Sequence, residues 1–317
     1  MINKRTSTFW LRFSVLTIAA SSAWAQPYAY VANQAGNNIT VLNRANNTLK
    51  SLISVNGGPN GVTVAPDGAF VYVSTFTANN VTVINTATNI VAGTIRVGLN
   101  PTRIVFSPDG TAIYVSNQGG NSVSVINPTT RTVVATVPVG SRPGGLAFTP
   151  DGSRVLVSNI FGSSVSVIDT ATYGVVATWH TGGSPNGIVV NPAGTLAYVA
   201  NQNDNTVTVH SVSTGAVAAT IAGFAYPNAL AMSLDGSLLY VTNGNTASLS
   251  VINTATNALV TQVAIGLLPT CVALSRDGAT LYATNSHGYS LSVVSTATNT
   301  AVLIPKIGII PVGIGLQ

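Results

Sequence analysis

Beyond its first two dozen residues the chain alternates apolar positions with Ser, Thr and Asn in short runs, as in Tyr72-Val73-Ser74 and Val81-Thr82-Val83-Ile84. A period of two predicts half-buried strands rather than helices. Turn residues punctuate the runs. Pro66-Asp67-Gly68, Pro108-Asp109-Gly110 and Pro150-Asp151-Gly152 place Pro, Asp and Gly in turn order, and residues 86–89, 254–257 and 296–299 read Thr-Ala-Thr-Asn. Asp can bond nearby amides and Gly can take positive φ, so both sets predict tight hairpins at one end of the strands.

The pattern repeats every 42 residues. Prolines recur at Pro59, Pro101, Pro143, Pro185, Pro227, Pro269 and Pro311, and a strand start recurs at Tyr30, Tyr72, Tyr114, Leu156, Tyr198, Tyr240 and Tyr282. Each of the seven copies carries four short β segments, for example 61–64, 72–74, 81–84 and 90–97. Four strands per unit match a propeller blade, so the expected fold is all-β: a seven-bladed β-propeller of four antiparallel strands per blade. The repeat starts on a second strand near Tyr28 and ends on a lone first strand at residues 312–316. A C-terminal inner strand is therefore expected to complete the N-terminal blade and close the ring.

Tyr240-Val241-Thr242-Asn243, Tyr30-Val31-Ala32-Asn33 and Tyr114-Val115-Ser116-Asn117 resemble the YVTN-type β-propeller repeat family. The resemblance covers residues 26–317 and implies an exported seven-bladed propeller without implying one function. Leu156 in place of tyrosine, Asn191-Pro192-Ala193-Gly194 in place of a Pro-Asp-Gly turn, and Thr75 in place of Asn are its departures. The seven-bladed lactonase-like and streptogramin-lyase-like propellers resemble the fold more distantly. Their acidic or His catalytic constellations find no matching positions here.

Charge changes the picture at the N-terminus. Lys4, Arg5 and Arg12 precede the apolar run 13–20, and Ala23-Trp24-Ala25 offers a small-x-small cleavage site. This predicts a signal peptide over residues 1–25, cleavage after Ala25, and a periplasmic or secreted product. The formal charge of +5 then falls to +2, with nine basic residues against seven Asp and no Glu. So small a charge gives no strong nucleic-acid signal. Without a long apolar run after residue 25, no transmembrane segment is expected, and a monomer is. The lone Cys271 has no partner for an internal disulfide and is expected to be buried in a strand.

Candidate chemistry is scarce. Five Asp residues fall in Pro-Asp-Gly-type turns and Asp169 in a third-to-fourth-strand turn, leaving Asp204 alone near the variable loops. No carboxylate pair, metal-ligand cluster or nucleophile elbow is evident, so no catalytic residue, metal or cofactor is expected. The loops joining fourth to first and second to third strands should share one face, where the copies differ most. There we single out Arg103, Arg142, Tyr226 and His287, with Phe76, Phe161, Asp204 and Tyr289 as a second tier. Two arginines beside aromatics suit an anionic or aromatic ligand. The same side chains also suit a rim that simply faces water. The expected function is a non-enzymatic binding or scaffold module of the cell envelope, with an envelope protein, a glycan or a small anion as partner. The alternative is a lactonase- or lyase-like enzyme at the channel mouth. The Asn residues that end the second strands are read as architecture, bonding backbone in nearby turns. Arg96, His180 and Lys306 are read as charges guarding the outer strand edge.

Overall fold

The computed structural model describes residues 28–317, so the expected signal peptide and its cleavage site lie outside the described residues. Every regular element in that span is a strand, and among the described residues no helix is long and apolar enough to cross a membrane. The strands form seven four-stranded antiparallel sheets whose inner strands contact one another in a closed ring. The chain is a seven-bladed β-propeller with the expected 42-residue repeat.

One blade shows the plan. Pro59–Val64 is innermost, followed by Phe70–Thr75, Asn80–Asn85 and the outer strand Ile90–Arg96. The two middle strands are covered on both faces by neighbouring blades, so between their ends they carry mostly apolar residues with small Ser and Thr. The outer strand keeps one buried apolar residue, Ile95, and exposes Ile90 and Val91. Apolar clusters join each blade to the next. Tyr72, Val81 and Ile95 pack on Ile104, Ile113 and Val115, for example.

The ring closes as the repeat phase requires. Pro311–Leu316 pairs with Tyr28–Asn33, setting Ala29 opposite Leu316 and Ala32 opposite Gly313. A last apolar cluster carries Tyr282 and Leu291 onto Ala29, Val31 and Ile314, sealing the seventh interface.

The repeated tyrosines are interface residues. Tyr30 is fully buried, and its hydroxyl donates to Asn89 Oδ1 in the next blade at 3.2 Å. Burial, with Tyr28 nearby as the lesser cause, pushes its phenol up to about 12.

Both sets of tight turns do lie on one face, where Thr86 Oγ1 donates to Gly68 O at 2.7 Å. Asp67 Oδ1 accepts the Ala69 amide at 2.9 Å, and Gly68 has φ of 73°. The Ser233 hydroxyl, followed by the amide and hydroxyl of Ser237, lowers Asp235 to about 2. Asn191 performs the same task in its own blade, accepting the amides of Thr195 and Leu196 at 2.9 Å.

Two details differ from the sequence reading. The Asn series bonds mainly side chains of the third strand, and among the described residues it meets backbone once, where Ala225 N donates to Asn243 Oδ1 at 3.4 Å. Asn117 Nδ2 donates to Ser122 and Ser124 at 3.1 and 2.9 Å, and Asn159, Asn243 and Asn285 repeat the arrangement. The alternation of the third strand sets its hydroxyls toward that amide. Arg96 and His180 end outer strands as expected, whereas Lys306 lies beyond the outer strand Thr300–Ile304.

Candidate functional site

One irregularity, repeated around the ring, builds the site. In six blades the register between the inner and second strands slips just after the repeat proline, as between Pro101 and Ile104 or Pro143 and Leu146. The closing blade slips between Ala32 and Asn33. A bulge re-aims side chains. Here the two residues after the proline line the central channel, as Thr102 and Arg103 do. In four blades the bulged amide finds a hydroxyl on the second strand. Gly61 N donates to Ser74 Oγ at 2.8 Å, Arg103 N to Ser116 Oγ at 3.0 Å, and Gly145 N to Ser158 Oγ at 2.8 Å. Ser158 Oγ then donates to Asn186 O of the next blade at 2.6 Å, tying neighbouring inner strands together.

The second residue of each pair is Gly in four blades and Arg103, Ala229 or Cys271 in the others. A Cβ at Gly61 or Gly145 would run into the carbonyl oxygen of Thr102 or Asn186 on the adjoining strand. Glycine thus permits the close approach of inner strands, and the small residues leave the channel interior to one long side chain. Arg103 reaches across it: Nη2 donates to Thr270 O at 2.9 Å, and Nη1 reaches Val312 O at 3.5 Å.

Arg103 divides the channel. Above it opens a mouth of about 280 Å³ whose wall includes Gln34, Phe76, Gln118 and Ile160 from the second-to-third-strand loops. Asn60, Asn186, Asn228 and Thr270 contribute from the inner strands. Below it a cavity of about 200 Å³ is walled by Val62, Ile104, Leu146, Ile188 and Cys271. Cys271 is thus half-buried in the channel wall rather than sealed inside a blade. Asn228 anchors the amide ring: its Oδ1 accepts from Asn186 at 2.7 Å and from Gln202 at 3.1 Å, while its Nδ2 donates to Pro269 O at 3.2 Å. Neither lining contains a carboxylate or an imidazole.

The eight residues singled out from sequence separate. Only Arg103 and Phe76 line the mouth. Arg142 stands outside it, its guanidinium 4.2 Å from the centroid of the exposed Phe161 ring and Nη2 donating to Gln118 Oε1 at 3.2 Å. Asp204 is occupied as a loop cap, accepting the Gly183 amide at 2.7 Å. Tyr226 occupies a left-handed position, φ 57°, before the repeat proline, with its amide bonded to Asn205 Oδ1 at 2.7 Å. His287 and the 47 % exposed Tyr289 sit on the loop of the seventh blade, outside the mouth lining.

Sequence reasoning missed the amide ring as a unit. Its signal was present at two repeat positions, the residue after the proline (Asn60, Asn186, Asn228) and the residue after the second-strand Asn (Gln34, Gln118, Gln202). Ranking residues by charge and aromaticity passed over these neutral side chains.

Two family descriptions match parts of the chain. A YNCE-like β-propeller matches residues 109–194, and a seven-bladed lactonase β-propeller matches residues 24–137. Both are β-propeller families. Neither match spans half of the chain, and no curated protein matches it. Among solved structures, hydrazine synthase of Kuenenia stuttgartiensis is 22% identical with a TM-score of 0.79, covering 89% of this chain and 99% of that one. A functionally unknown protein from Desulfotomaculum acetoxidans is 16% identical with a TM-score of 0.79, covering 92% and 98%. A candidate 6-phosphogluconolactonase of Bacteroides uniformis is 14% identical with a TM-score of 0.76, covering 92% and 100%. At these identities the likeness is one of fold, and the propeller's function rests on its own site.

Proposed function

We propose that this propeller is an exported, non-enzymatic binding module of the cell envelope, of the YVTN repeat type, that takes a small ligand at the channel mouth. The observation that carries this reading is the chemistry of the lining: amides and hydroxyls around one guanidinium, with no acid or base beside it. Such a wall can orient a ligand by hydrogen bonds but offers no group to move a proton at neutral pH. The leader-like run before Gln26 supports export, which N-terminal sequencing of protein recovered from the periplasm or medium tests directly.

The reading is tested by passing a fractionated envelope extract over the immobilised protein and identifying retained small molecules and proteins by mass spectrometry. The comparison protein is an Asn60→Leu, Asn186→Leu variant shown to melt normally. Retention of one species by the parent and not by the variant supports the mouth as the site. Equal retention by both overturns it. A second reading, lactone hydrolysis, is favoured by the lactonase-family match over residues 24–137. Ring opening of a lactone panel by the protein, abolished by Arg103→Gln, would replace the binding reading with it.

A further inference from the structure

Arg103 is a guanidinium without a counter-ion. Six Asp residues lie in turns on the opposite face, and Asp204 is committed to the Gly183 amide, so no carboxylate pairs with Arg103 among the described residues. Its two contacts are main-chain carbonyls, Thr270 O and Val312 O, which fix the plane of the fork across the channel. They leave Nε–H and one hydrogen on each Nη without a partner, enough donors for the two-bond grip by which arginine holds a carboxylate. A cation set in a cleft without a partner favours an anion.

The ring above fixes the rest of the ligand. Gln34 and Asn60 make no side-chain hydrogen bond within the described residues, and Asn186 gives its Nδ2 to Asn228, leaving Oδ1 as a spare acceptor. Free amides present donors and acceptors side by side, which is the complement of a row of hydroxyl groups. Phe76 adds one apolar face. The volume, about 280 Å³, is near the lower end for small-molecule sites and suits one monosaccharide ring. A phosphate, carrying about −1.5 to −2 charges, would call for more than the single cation present.

Resting on the mouth as the binding site, we infer that the ligand is a hydroxyl-rich monocarboxylate of monosaccharide size, an acidic sugar, with its carboxylate on Arg103 and its hydroxyls on Gln34, Asn60 and Asn186.

The test is calorimetric titration of the protein with glucuronate, glucose, hexanoate and inorganic phosphate, which separate charge from hydroxyls. Glucuronate is expected to bind at least tenfold more tightly than each of the other three. Arg103→Gln should weaken it at least tenfold, with Arg103→Lys intermediate, both variants melting within a few degrees of the parent. If a variant does not fold, the four-ligand ranking on the parent decides. Glucose or phosphate binding as tightly as glucuronate overturns the acidic-sugar inference. So does glucuronate binding unchanged in Arg103→Gln. In each case the mouth reading survives if the Asn60→Leu, Asn186→Leu variant still loses the retained envelope species. Absence of glucuronate binding by the parent also overturns the inference, and equal retention of that species by parent and variant overturns the mouth reading itself.

Discussion

Deleting residues 311–317 removes the strand that closes the ring, and the structure sets the size of the effect. Five register pairs with Tyr28–Asn33 disappear. At about 1 kcal/mol net per backbone hydrogen bond this is ~5 kcal/mol. Ile314, 5 % exposed, gives up about 2–3 kcal/mol of apolar burial. Arg44 Nη1 loses Gln317 O at 2.7 Å, and Gly68 O loses Gln317 Nε2 at 2.8 Å. Those ties add roughly 1 kcal/mol each. The sum, ~9 kcal/mol, rivals the whole stability of a typical domain, about 5–15 kcal/mol. At ~2 °C per kcal/mol for a chain of this size, the melting temperature should fall by at least ~15 °C. The assay is thermal unfolding by circular dichroism, with hydrogen exchange read on the strand Tyr28–Asn33, before and after adding the seven-residue peptide in trans. Recovery of protection with peptide would confirm the latch. A truncated protein melting within ~3 °C of the parent would refute the reasoning, because the first blade would then be stable on three strands.

Gly215→Ala should destabilise by about 2–4 kcal/mol in urea unfolding, since φ there is 74° and the new Cβ would enter the Trp179 indole. Trp179 is the sole tryptophan after residue 25, so its emission should shift in the same variant. His210 is fully buried, stacked on Trp179 with centroids 5.9 Å apart, and burial holds its pKa below 6.5 against the opposing effect of the hydrogen bond Gly215 O accepts from its ring. The unfolded chain therefore takes up a proton near pH 6.5 that the folded protein resists. Stability present above that pH is lost as pH falls below it, so the urea midpoint should drop from pH 7.5 to 5.5 in the parent and stay level in His210→Gln. The turn carboxylates Asp109, Asp151, Asp169, Asp235 and Asp277, lowered by hydroxyl and amide hydrogen bonds, should produce a second loss in both proteins below about pH 4. Ile310 is a β-branched residue held at φ 55° before the last proline. Ile310→Gly should raise stability by about 0.5–1 kcal/mol, read from the shift in urea midpoint.

The fold was legible because its rules are local and recur from blade to blade. Pro-Asp-Gly turns, period-two strands and the repeat phase specify hairpins, blades and closure without any long-range guess. The candidate site was legible only in part. Arg103 and Phe76 stand out by residue type, and both reach the mouth. Arg142, Phe161 and Asp204 stand out equally, yet they engage loop partners, because a rim position says nothing about which way a long side chain turns. The inner-strand bulge decides that direction, and it depends on pairing between strands that alternation along one strand does not report. The amide ring was hidden for a related reason: Asn and Gln look like loop filler until the ring brings residues 34, 60, 118 and 186 to one opening.

The central claim is that the channel mouth above Arg103 is where this propeller holds its ligand. A crystal of the protein soaked in glucuronate tests it most directly. The account predicts density in the mouth with a carboxylate in hydrogen-bond contact with the Arg103 guanidinium and hydroxyls against Asn60 and Asn186. Density on the rim at Arg142 and Phe161, or on the turn-bearing face, with the mouth holding only water, would contradict it.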